Sequence, residues 1–166
     1  MRLKSLSPVK KRAKSNMKNS SVQPLGVYEI TLKSADGQIK NHFFSKNLVV
    51  QTGKNIIASL LVGDDVGKKP TTMQVGTSNT PVSVSDVALK SPVASSPVAL
   101  QSQTRTNNQV TYSATFPIGT AIGTLCEVGI MSVYDKNDAL FSRSVFPPIT
   151  KEQDDELTIR WAITIA

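Results

Sequence analysis

Leu157-Thr158-Ile159-Arg160-Trp161-Ala162-Ile163-Thr164-Ile165 alternates large apolar residues with smaller or polar ones without a break. Successive side chains of a strand point to opposite faces. Leu157, Ile159, Trp161, Ile163 and Ile165 therefore share one face, opposite Thr158, Arg160, Ala162 and Thr164. Burying side chains of this size stabilises by about 1.5–3 kcal/mol each, so the core belongs against this strand. The stretch decides the fold class, because a half-buried strand requires a sheet with one apolar face.

Further strands appear on moving outward. Residues 139–146 (ALFSRSVF) form one, expected to stop at Pro147-Pro148, and Asp135-Lys136-Asn137-Asp138 reads as the turn before it. Residues 126–134 (CEVGIMSVY) are apolar on both faces in places. Val110, Tyr112, Ala114 and Phe116 alternate with Gln109, Thr111, Ser113 and Thr115, and Pro117 ends that run. Asn107-Asn108 is a turn. Pro92 and Pro97 in the Ser/Pro/Val-rich stretch 81–108 argue for edge strands or a long loop. Residues 71–80 give a strand with Met73 and Val75 inward, closed by Gly76-Thr77-Ser78-Asn79.

At the N-terminal side, residues 25–32 and 39–44 flank Asp36-Gly37 and read as a hairpin, with Asn47–Val50 continuing it. Thr52 is placed to cap one helix of about three turns. Ile56, Ile57, Leu60 and Leu61 fall on one face of it, and Gly63-Asp64-Asp65 ends it. Short strands, tight turns and one helix predict a mainly β protein. The expected architecture is an antiparallel β-sandwich over residues 24–166, with one short helix and an extended basic N-terminal arm over residues 1–23.

The arm carries the charge. Arg2, Lys4, Lys10, Lys11, Arg12, Lys14 and Lys18 are seven of the 19 basic residues, and none of the 12 acids lies among them. That leaves 12 basic against 12 acidic residues over 19–166, so the net charge of +7 belongs to the arm and the body is balanced. With few apolar residues, the arm is expected to order only on a partner, and its seven cations are the candidate partner-binding residues.

Catalytic chemistry has little to work with. His42 is the single histidine and lies on the outward phase of a strand; Cys126 is the single cysteine and reads as a small buried hydrophobe. One of each builds no zinc shell, and no metal or other cofactor is expected. Asp64-Asp65 and Asp154-Asp155-Glu156 lie in turns, where adjacent acids are expected to be solvated. Gly63, Gly67 and Lys68-Lys69 do not have P-loop spacing. A non-enzymatic protein is expected. No apolar run is long enough to span a membrane, and the N-terminus lacks a secretory h-region.

Residues 46–63 (KNLVVQTGKNIIASLLVG), MQVGTSNT at 73–80, VTYSATFP at 110–117, GTLCEVGIM at 123–131 and ALFSRSVFPPITKEQDDELTIRWAITI at 139–165 resemble small virion structural proteins of tailed bacteriophages. These proteins are tail, tail-fibre or baseplate associated. The resemblance implies a non-enzymatic virion component, assembled in the host cytoplasm, with other virion proteins as partners and a homo-oligomer in a symmetric assembly. On that reading the body docks by β surfaces as a tail-associated adaptor or fibre/baseplate attachment component. The arm then grips an acidic patch of a neighbour. A capsid decoration or head–tail joining protein is the first alternative. A nucleic-acid-binding protein using the basic arm is the second, weakened by an arm without aromatic residues and a neutral body.

Overall fold

The computed structural model describes residues 25–165. Nine strands and one helix follow the chain: β1 Leu25–Lys33, β2 Ile39–Val49, α1 Gln51–Val62, β3 Thr72–Gly76, β4 Val98–Ala99, β5 Ser102–Thr106, β6 Gln109–Phe116, β7 Gly123–Tyr134, β8 Asn137–Lys151 and β9 Glu156–Thr164. The strands form a single antiparallel sheet in the order β4-β3-β7-β8-β2-β1-β9-β6-β5, which curls around the core. The mainly β reading holds. In place of the two separate sheets expected for a sandwich, one continuous sheet is seen.

The sheet is continuous only through a thin seam. β2 and β8 share two register pairs, Leu48↔Arg143 and Val49↔Ser142. Beyond them serine side chains complete the joint: Ser142 Oγ donates to the Leu48 carbonyl at 2.8 Å and Ser144 Oγ to that of Lys46 at 2.8 Å. At its other limits the sheet nearly meets itself. Its two edge strands, β4 and β5, are separated by only Leu100 and Gln101. The Leu100 N–H donates to Thr71 at 2.9 Å and the Gln101 N–H to Ser113 at 2.8 Å, so the chain bridges β3 and β6.

β9 carries the core as its alternation predicts. Leu157, Ile159, Trp161 and Ile163 are buried against Tyr28, Ile30 and Leu32 of β1 and Tyr112, Ala114 and Phe116 of β6. Trp161 lies 5.1 Å from the Tyr28 ring. Ile165 departs from the expectation: it follows the last strand residue and is 42% exposed.

The hairpin β1–β2 turns at Gly37, whose φ of 81° suits glycine. The turn between β7 and β8 is tighter than expected. Asp135 and Lys136, with φ of 48° and 65°, form it alone, and Asn137 already pairs with Tyr134. Pro147-Pro148 does not stop β8. The register with β7 shifts between Leu125↔Ile149 and Glu127↔Val145, and both prolines fall in that irregularity, where no ladder N–H is needed.

The helix begins at Gln51 with Val50 as its N-cap, so Thr52 lies inside it and does not cap it; Gly63 closes it in a left-handed conformation. Its buried side is Gly53, Ile56 and Ser59, whereas Leu60 and Leu61 are 48% and 83% exposed. The reason is a close approach: a Cβ on Gly53 would lie 2.0 Å from the Phe141 carbonyl oxygen of β8. Glycine lets the helix backbone settle on the sheet along this line, and that rotation carries Leu60 and Leu61 outward.

Candidate functional site

Four adjacent strands, β2-β1-β9-β6, turn their second faces to solvent, and the ladder register arranges those residues in rows. Phe44, Glu29, Arg160 and Ser113 form one row across the four strands; Lys46, Val27, Ala162 and Thr111 form the next; His42, Thr31, Thr158 and Thr115 form a third. Phe44 is 63% exposed and Val27 is 48% exposed, both on an otherwise polar face. His42 Nε2 lies 2.9 Å from Glu29 Oε1, and its ring meets Phe44 edge-on at 5.2 Å. His42 is thus the outward strand residue expected. Arg160, between Glu29 and Ser113, has no ion-pair partner among the described residues. Two shallow depressions of about 320 and 220 Å³ share Glu29 and Arg160.

A second feature lies on the core side, where α1 fails to close over β6 and β9. A cleft of about 230 Å³ opens there, lined by Ile57, Leu60, Leu61, Tyr112 and Ile163, with Lys69 among its lining residues. Tyr112 comes from the inward face of β6 and sits opposite Trp161 in register. Its hydroxyl makes no hydrogen bond among the described residues, and burial alone pushes its pKa up to about 12.

Two ionic clusters organise loops. Arg143, fully buried on β8, donates from Nε to Glu127 Oε2 at 2.8 Å, from Nη1 to Asp86 Oδ2 at 2.9 Å and from Nη2 to the Thr80 carbonyl at 3.0 Å. Glu127 also accepts the Lys90 and Ser91 N–H groups, so the triad pins the 77–97 loop to β7 and β8. Burial raises the Asp86 pKa, but Lys90, the Ser83 N–H and Arg143 outweigh it and hold the carboxyl below its ordinary value. The sequence reading missed this triad, although a glutamate inside CEVGIM and an arginine inside ALFSRSVF were its visible signals.

The second cluster corrects the expectation of solvated turn acids. Asp155 is 2% exposed; it accepts Lys40 Nζ at 2.8 Å and the Glu152 N–H at 2.8 Å, tying the start of β2 to the β8–β9 turn. Asp64, by contrast, lies in an exposed turn, where it accepts the Ser59 hydroxyl and the Val66 N–H at 3.1 Å.

Cys126 is buried, and burial together with the neighbouring Glu127 charge raises its pKa, so it stays a thiol at neutral pH. Among the described residues no group of three or more His, Cys, Asp or Glu could hold a metal ion, and no helix is long and apolar enough to cross a membrane. Arg2, Lys4, Lys10, Lys11, Arg12, Lys14 and Lys18 lie outside the described residues. No family model, curated protein or solved structure matches the chain.

Proposed function

We propose that this chain is a non-enzymatic structural component of a tailed-bacteriophage virion, a tail-associated adaptor that docks through the outward face of β2-β1-β9-β6. The virion assignment rests on the resemblance of the stretches quoted above; the observation that supports docking through this face is Phe44 and Val27 standing exposed near the unpaired Arg160. Aromatic and arginine side chains are the types enriched where proteins meet, and Phe44 and Arg160 stand in one row across this face. The basic segment 2–18 supplies a second, electrostatic contact with an acidic surface of a neighbour.

Mass spectrometry of virions purified from an infected host tests the reading. The chain should be present in particles, and its absence sinks the virion assignment. Phe44→Asp should leave the circular-dichroism spectrum and melting of the purified chain unchanged while lowering its incorporation at least tenfold, the effect of losing one central contact. Unchanged incorporation of that variant would remove the face from the proposal. Deleting residues 2–18 reports separately on the arm.

A further inference from the structure

We propose that the cleft between α1 and the β6–β9 end of the sheet is a binding site for a small apolar carboxylate, its acceptor oxygen taking the Tyr112 hydroxyl and its charge matched by Lys69.

Three observations converge. The first is the wall. Ile57, Leu60 and Leu61 of α1 face Ile163 of β9 across the cleft, an apolar lining that suits an alkyl chain or a single ring. At about 230 Å³ the space falls below the range of about 300–1,000 Å³ that takes larger ligands.

The second is Tyr112. It is only 7% exposed, yet its hydroxyl has no hydrogen-bond partner among the described residues. Among the described residues the side-chain atoms sealed from solvent without a partner are Asn47 Oδ1 and Trp161 Nε1; the Tyr112 hydroxyl is not one of them, and as a lining residue of the cleft it is open to a ligand there. Tyr28, its counterpart on β1, shows the ordinary arrangement: its hydroxyl donates to the Val145 carbonyl at 3.3 Å and lies 3.1 Å from Ser144 Oγ. Because its pKa lies far above neutrality, Tyr112 acts as a donor, so a ligand in the cleft takes its hydrogen bond with an acceptor that replaces water.

The third is Lys69. It is exposed, lines the same cleft and has no ion pair among the described residues, whereas the adjacent Lys68 is paired with Asp65 at 2.6 Å. A free cation next to an unmatched donor selects a negatively charged acceptor over a neutral one. So small a cleft places both groups within the span of one short ligand. This inference is independent of the proposed virion role.

Isothermal titration of the full chain with octanoate, octanol and octylamine tests it. Octanoate should bind saturably with one-to-one stoichiometry, more tightly than octanol, and octylamine should not bind. Tyr112→Phe should weaken octanoate about tenfold. Lys69→Gln should weaken octanoate up to about fivefold and abolish its preference over octanol, and added salt should weaken octanoate but not octanol. Leu60→Trp, made at a half-exposed position on the wall, should block both octanoate and octanol in a folded chain. Absence of saturable octanoate binding overturns the proposal, as does binding indifferent to both Tyr112→Phe and Lys69→Gln. A concentration-dependent dimer in sedimentation that octanoate dissociates would also overturn it, because a second copy would then be the occupant.

Discussion

Arg143→Met removes the centre of the buried triad, and the structure sets the size of the effect. Arg143 and Glu127 are both 0% exposed and Asp86 is 3% exposed, so deleting the guanidinium leaves two carboxylates without solvent to replace it. Breaking a buried ion pair by removing one partner costs about 3–5 kcal/mol. The lower half of that range applies here. Glu127 keeps the Lys90 and Ser91 N–H groups at 3.1 and 2.7 Å, and Asp86 keeps the Ser83 N–H and Lys90 Nζ at 2.9 and 2.8 Å. Domains are stable by about 5–15 kcal/mol, so the variant should remain folded but much weakened. Urea unfolding followed by the fluorescence of Trp161, the single tryptophan, measures the loss. Acid gives a second check. The Asp86 pKa is lowered in the folded protein, so its contribution is present above its unfolded value near 3.9 and is lost as pH falls through the folded value. The gap between wild type and variant should therefore shrink below about pH 4. A loss under about 1 kcal/mol at pH 7, no larger than that of an exposed pair, would refute the assignment of the triad as the loop anchor. So would a gap that stays constant into acid.

Two further changes probe the helix seat and the tight turn. Gly53→Ala puts a methyl 2.0 Å from the Phe141 carbonyl oxygen, so α1 must lift off β8; the cost should be about 3 kcal/mol or more, read by urea unfolding together with near-ultraviolet circular dichroism. Lys136→Gly relieves a side chain held at a φ of 65° and should stabilise the chain by about 1 kcal/mol, seen as a higher urea midpoint with an unchanged slope.

The strands were legible because their period is local. β3 buries Met73 and Val75 at 0% exposure, and β9 and β6 bury the residues their alternation assigns except Ile165, 42% exposed, and Val110, half-buried. What failed depended on partners distant in the chain. The apolar positions of α1 form a plausible stripe at Ile56, Ile57, Leu60 and Leu61, but Gly53 and its contact with Phe141 set the rotation, and no local pattern records which carbonyl a glycine will meet. Pro147-Pro148 reads as a stop until the register shift opposite it is known. Asp155 reads as solvated until Lys40 arrives from β2. Whether β2 and β8 belong to one sheet or two turns on two register pairs and a pair of serine hydroxyls, which leave no periodic trace. The outward rows of β1 and β9 were legible as the polar phase of each alternation. The cleft was not, since it exists only because α1 lands where it does.

That sheet geometry also sharpens where a neighbour could dock. A chain with many short strands suggests many open edges and assembly by strand addition. Here β4 is two residues long and runs into β5 within two more. The free side of β3 is covered by the loop before β4: Gly76 bridges Pro92, the Val93 N–H donates to the Val75 carbonyl at 3.0 Å, and Ser96 Oγ donates to the same carbonyl at 2.9 Å. Among the described residues the open edge left is β5, five exposed polar residues of sequence SQTRT, a poor template for pairing another apolar strand. Edge addition is therefore a weak mode of association for this body. Contacts through side-chain faces are favoured, and the face that offers an exposed aromatic, an exposed valine and an unpaired guanidinium in register is that of β2-β1-β9-β6.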